Sequence, residues 1–193
     1  MIKHLKPAII LFVLLTVLTG VIYPITITGL AQLVFPVQAN GSLITDNRGK
    51  VISSALIGQA FNDPSHFWGR PSATAPYPYN AGASKGSNLG PTNPALIDAI
   101  KIRLQTLKDI DPDNKAPVPV DLITASASGL DPHISPAAAN YQIKRIAKAR
   151  NLTATQLHNL IATNTESRLW GFLGEPRVNV LTLNLSLDAT IAK

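Results

Sequence analysis

Residues 9–30, IILFVLLTVLTGVIYPITITGL, are twenty-two consecutive positions without a charged side chain, and they constrain the fold more than any other feature. As a helix the run would extend about 33 Å, matching a hydrocarbon core of roughly 30 Å. The charge-free window is wider still, from Pro7 to Thr45, and all eleven acidic residues lie at or beyond Asp46. A membrane-spanning helix is therefore predicted. Pro24 should kink it, because proline lacks the N–H of the helical ladder, and a neighbouring helix would satisfy the freed carbonyl. Tyr23 and, past the run, Phe35 suit the interfacial zone. Gly20 and Gly29 are the candidate points of close helix approach.

Orientation follows from the flanking cations. The amino terminus, Lys3 and Lys6 precede the run, and the next cation is Arg48. The positive-inside bias then places the amino end in the cytoplasm and the bulk of the chain outside. The expected division is residues 1–7 cytoplasmic, residues 8–35 as transmembrane helix and interface, and residues 40–193 as an extracytoplasmic domain. Val37-Gln38-Ala39 has the form of a leader-cleavage site, but the apolar run is long for a leader and the site comes late.

With the run set aside, composition narrows the rest. Only 15% of the 193 residues are charged, against about 25% in ordinary soluble domains. The complete lack of cysteine excludes a disulfide framework, a thiolate zinc site, an iron–sulfur cluster and a thiol nucleophile. The net charge of +6 invites a nucleic-acid reading, yet residues 40–193 carry fifteen Lys and Arg against eleven Asp and Glu. Their one basic cluster, Lys144, Arg145, Lys148 and Arg150, reads as a solvated helix face rather than a nucleic-acid stripe.

The fold class expected is α+β: one N-terminal transmembrane helix, then a small exported domain with long proline-rich loops. Eleven prolines between residues 64 and 136 forbid continuous helix there. Short β-prone runs at 42–45 and 51–57 flank Asp46-Asn47-Arg48-Gly49 and predict a hairpin. Asn93-Pro94 and Ser135-Pro136 are cap-then-proline helix starts, and Thr153 with Gln156 is a capping box. Residues 109–119 read as a linker and 120–124 as a short strand. Leu181, Leu183, Leu185 and Leu187 alternate with polar residues, the pattern of a half-buried strand.

Candidates for chemistry are sparse. The glycine-rich run 80–90 offers Ser84, Lys85, Gly86 and Ser87 as weak nucleotide candidates, but Lys85 precedes Gly86 instead of following it as a phosphate loop requires. Asp131 and His133 near Ser126, Ser128 and Ser135 have the residue types of acyl transfer without a nucleophile elbow; an anchored serine hydrolase is the alternative they leave open. His66, His133 and His158 lack paired metal-ligand spacing. Glu166, Arg168, Glu175 and Arg177 read as ion pairs. Phe67, Trp68 and Arg70, and likewise Trp170 and Phe172, fit either a domain anchor or a protein interface.

Several long strings, GQAF at 58–61, FWGRPS at 67–72, GSNLGPTNP at 86–94, LITASASGLDPHISPAAA at 122–139 and GFLGEPRVNVL at 171–181, resemble the C subunit of bacterial potassium-transporting P-type ATPases, the KdpC family. The resemblance spans nearly the whole chain. Lys85 departs from a usual glycine and Asn164 from a usual histidine, which weakens a phosphate cradle and an essential imidazole respectively.

The resemblance implies a non-catalytic accessory subunit in a bacterial inner or plasma membrane complex that imports potassium at the expense of ATP. Implied partners are a P-type ATP-hydrolysing subunit, a channel-like potassium-binding subunit, a very small membrane subunit and membrane lipid, with no nucleic acid. It also implies a catalytic chaperone raising the ATP affinity of the hydrolysing subunit, with ATP as the one cofactor and direct nucleotide binding as one route. Cytoplasmic ATP conflicts with an exported domain, so the expected mechanism is capping of the potassium entrance with an allosteric effect on the pump.

Overall fold

The computed structural model describes residues 2–46 and 48–191. Met1, with the amino terminus used in the orientation argument, lies outside the described residues, as does Asn47 of the expected turn. The chain divides into two compact units, Met1–Ser54 and Ala55–Lys193.

In the first unit, α1 (Ile2–Val17) runs through a π-helical turn (Leu18–Ile22) into α2 (Tyr23–Val34). From Lys3 to Val34 the helix is 32 residues long, and its most apolar 18-residue stretch has a mean hydropathy of 2.5, long and apolar enough to cross a bilayer. The expected proline distortion takes the form of that π turn. Pro24 cannot donate to the turn behind it, and the last N–H before it, from Tyr23, reaches back five residues to Leu18 O. Thr19 and Thr26 return their hydroxyls to Leu15 O and Ile22 O at 2.7 and 2.8 Å, so these polar groups are satisfied inside the helix. A single turn, α3 (Pro36–Ala39), follows. The hairpin pairs β1 (Leu43–Thr45) with β2 (Val51–Ser54) antiparallel, and the Asp46 carboxylate holds the turn by accepting from the Arg48 and Lys50 amides.

The second unit opens with irregular backbone, as its prolines demand, before α4 (Pro94–Ile110). Asn93 caps α4 by accepting from the Ala95 amide at 2.9 Å. A three-stranded antiparallel sheet follows in the order β3 (His133–Ile134), β5 (Arg177–Asn179), β4 (Thr165–Glu166). Between β3 and β4 come α5 (Pro136–Tyr141), α6 (Ile143–Arg150) and α7 (Ala154–Thr163). Ser135 caps α5, Asn151 ends α6 in the left-handed conformation, and the Thr153–Gln156 capping box opens α7. The core gathers Phe67, Ile134, Ile146, Leu157, Val178 and Leu183.

Two expected strands are helical. Residues 120–122 form a 3₁₀ turn behind Pro119, with Leu122 buried and Thr124 donating to Val120 O. More consequentially, the leucine-alternating segment is the helix α8 (Val180–Ile191). Asn179 caps it, its Oδ1 accepting from the Leu181 and Thr182 amides. Val180, Leu183, Asn184 and Leu187 fall on one buried face, the i, i+3, i+4, i+7 set of a helix. Alternation and helical spacing coincide at Leu183 and Leu187, so the period alone decides nothing; the cap does.

Candidate functional site

The irregular segment at residues 63–70 makes one backbone hydrogen bond of its own, His66 N to Asp63 O at 3.2 Å, and its other buried peptide groups must be satisfied somehow. Side chains from α6 and α8 supply them. Asn184 Oδ1 accepts from the Phe67 amide and Asn184 Nδ2 donates to Phe67 O, both at 2.9 Å. Gln142, between α5 and α6, treats Trp68 identically, accepting from its amide at 2.8 Å and donating to its carbonyl at 3.1 Å. Both amide side chains are almost fully buried. Arg145 donates to His66 O at 3.0 Å and to Pro64 O, and its guanidinium lies 5.0 Å from the centre of the Trp68 ring. Arg150 donates to Ser65 O and to Asp188, which also meets His66 Nε2 at 3.2 Å.

This arrangement corrects the solvated basic face at Arg145 and Arg150, which the 64–66 carbonyls engage, while Lys144 and Lys148 are exposed as expected. Arg145 is 93% shielded from solvent, and burial pulls its pKa down to about 10, opposed by Asp111 and Asp63. A guanidinium keeps its charge even so, and its fork fits the diverging carbonyls as a lysine would not. Phe67 lies on the anchor side of the two readings open for it, wholly enclosed in the core, and Trp68 packs against that core.

Arg70 leads to the other irregular loops. It pairs with Asp131 at 3.3 Å and donates to Ala125 O. Burial works to raise the Asp131 pKa, but hydrogen bonds from His133 and the Arg70 charge hold it below the usual carboxylate range. The Tyr79 hydroxyl donates to Arg70 O at 2.5 Å. Trp68, Arg70, Tyr79, Arg103, Leu107 and Leu122 border a cavity of about 190 Å³.

Of the weak nucleotide candidates Ser84, Lys85, Gly86 and Ser87, the first three lie along the 126–129 backbone. Lys85 N and Ser84 Oγ both donate to Ser128 O. A Cβ at Gly86 would stand 2.6 Å from Ala127 O, and one at Gly129 (φ +69°) 2.6 Å from Lys85 O, so close backbone packing accounts for these two glycines. Among the acyl-transfer candidates, Ser135 is engaged as the α5 cap and Ser128 Oγ accepts from the Leu130 amide. His133 meets Asp131 at 3.4 Å, and among the described residues no hydrogen bond joins His133 to a serine hydroxyl. No cluster of three or more His, Asp or Glu among the described residues could hold a metal ion.

The remaining interface candidates face outward. In the first unit, Tyr23 is exposed, and a Cβ at Gly20 or Gly29 would meet nothing within 4 Å. In the second, Trp170 and Phe172 are 77% and 70% exposed. Beneath them Arg168 pairs with Glu175 at 2.7 Å and Arg177 with Glu166 at 2.8 Å, the expected ion pairs. Sequence reasoning missed Gln142, Arg145 and Asn184 as the clamp on 63–70. A polar residue set among leucines, as Asn184 is, was the available signal.

Residues 5–189 match the family model described as KdpC, K+-transporting ATPase, c chain. The chain is 64% identical over 189 residues to the potassium-transporting ATPase KdpC subunit of Methylococcus capsulatus, covering 98% of this chain and 99% of that one. Against the subunit of the same name from Dechloromonas aromatica it is 60% identical over 185 residues, 96% of each. Variovorax paradoxus has one 61% identical over 188 residues, 97% of each. By the extent of the match and the height of these identities, the chain belongs to the KdpC family, the c chains of K+-transporting ATPases.

Proposed function

We propose that this chain is a non-catalytic accessory subunit of an ATP-driven potassium importer, anchored by its apolar helix and acting through an extracytoplasmic domain. The observation that carries this is the helix itself. One helix cannot enclose an ion path, and among the described residues nothing buries the hydrophobic window of Lys3–Val34. Its contribution is then lateral packing on other membrane subunits, and the open sides of Gly20 and Gly29 offer a neighbouring backbone close approach. Lys3 and Lys6 favour a cytoplasmic amino end.

Capping the potassium entrance of a channel-like subunit is the role we assign to the second unit. Any rise in the ATP affinity of the hydrolysing subunit is then allosteric, requiring that this domain contact two pump states unequally. Affinity purification of the chain from intact membranes tests the proposal. A P-type ATPase and a polytopic potassium subunit should come with it; recovery of the chain alone would refute it. Protease added to right-side-out vesicles should digest residues 55–191, and digestion confined to inverted vesicles would reverse the orientation.

A further inference from the structure

Between Arg168 and Glu175 the chain runs Leu-Trp-Gly-Phe-Leu-Gly with no charged side chain. The four large apolar residues of that run, Leu169, Trp170, Phe172 and Leu173, are all exposed. The tip is nonetheless ordered by its own backbone. Leu169 N donates to Leu173 O at 2.9 Å and Leu173 N to Leu169 O at 3.0 Å, while Gly171 N donates to Arg168 O. Trp170 and Gly171 take positive φ, and the Trp170 and Phe172 rings lie 6.4 Å apart. Among the described residues, nothing covers this fixed turn that presents Trp, Phe and two Leu to solvent.

We propose that residues 169–173 form a wedge that enters the bilayer interface; this rests on the reading of the chain as a membrane subunit given above. Three observations favour lipid as the occupant. The chain carries its own helix fit to cross a bilayer, so an apolar phase accompanies the domain. The tip is small: its four side chains expose on the order of 500 Å², short of the about 800 Å² per partner that a stable protein contact buries. Tryptophan, finally, favours the headgroup boundary, with its ring in the apolar zone and its N–H toward water. At the base, Arg168–Glu175 and Arg177–Glu166 leave no net charge to be desolvated on approach.

The full chain has only two tryptophans, so Trp170 can report on itself. In phosphatidylcholine–phosphatidylglycerol vesicles, its emission should be blue-shifted and strongly quenched by brominated acyl chains. Both effects should vanish in Trp170→Phe, which leaves Trp68 alone. Phe172→Asp should abolish the quenching without removing the reporter, and quenching that survives it overturns the wedge. Leu14→Trp in the Trp170→Phe chain separates the two readings: no quenching there refutes the membrane subunit and the wedge together. Quenching there, with Trp170 of the unsubstituted chain water-exposed, overturns the wedge alone. A Trp170 open to aqueous iodide in the chain by itself, and shielded only in the assembled pump, also overturns it, because the occupant is then protein.

Discussion

Asn184 and Phe67, 117 residues apart, are joined by two hydrogen bonds that use both faces of one amide, Phe67 N–H to Asn184 Oδ1 and Asn184 Nδ2 to Phe67 O, each 2.9 Å long. Each bond satisfies a peptide group that the enclosed Phe67 ring has drawn away from water. Asn184→Leu keeps the approximate size but orphans both groups, at about 1–3 kcal/mol for each. The domain should lose about 3 kcal/mol in urea unfolding, more than any leucine-to-valine change in α8. A loss below 1 kcal/mol would mean that the 63–70 segment finds other partners.

Glycines 129 and 174 both sit at positive φ, +69° and +78°, but in different surroundings. At Gly174 an added Cβ meets nothing within 4 Å, so alanine costs only the left-handed penalty of about 1 kcal/mol. At Gly129 the same atom strikes Lys85 O and Thr74 Cγ2, each at 2.6 Å, and the total should reach about 3 kcal/mol. Paired thermal unfolding of the two alanine variants checks the ordering.

Stability should fall at both ends of the pH scale, for opposite reasons. Burial, with the Asp131 charge, pushes the Tyr79 phenol up to about 12 from an ordinary 10. A raised folded value gives stabilisation that is whole below the unfolded value and is lost as pH climbs through the folded one. Tyr79→Phe should flatten the alkaline limb above about pH 10. Asp131 is depressed, so its contribution is present at neutral pH and disappears on acidification below about pH 4. Asp131→Asn should flatten the acid limb. Urea midpoints across the pH range read both.

Gly20→Leu and Gly29→Leu fill positions where a Cβ meets nothing within 4 Å among the described residues. Neither should alter unfolding of the second unit, and both should reduce the pump subunits recovered on affinity purification. Undiminished recovery from both would remove these glycines from the proposed contact.

Features with local causes were legible in the sequence. The apolar run needed only its length, and Asn93, Ser135 and Thr153 announced their helices because a cap is read within four residues. α8 was not legible by period, since leucines at 181, 183, 185 and 187 satisfy a strand while 180, 183, 184 and 187 satisfy a helix. Only Asn179, acting as a cap, separates the two. Arg145 was misjudged for another reason: its partners are carbonyls of the distant 64–66 segment, and no local pattern encodes a cation held by irregular backbone. Of the candidate site, the exposure of Trp170 and Phe172 likewise needed the folded chain, because the same composition buries Phe67.

The π turn at Leu18–Ile22 carries one residue more than an α-helical turn would. One residue is about 100° of rotation, so the halves before and after the turn are out of phase by roughly that angle. A stripe drawn straight down a helical wheel from Ile9 to Leu30 therefore describes no continuous surface. A neighbouring helix that follows one face of α1 meets a different face of α2. Replacing Pro24 with alanine would restore the missing N–H and let the turn anneal into α-helix. Helical content would scarcely change, yet α2 would swing its side chains to a new azimuth. Damage at this proline would thus be an error of bearing rather than a loss of structure.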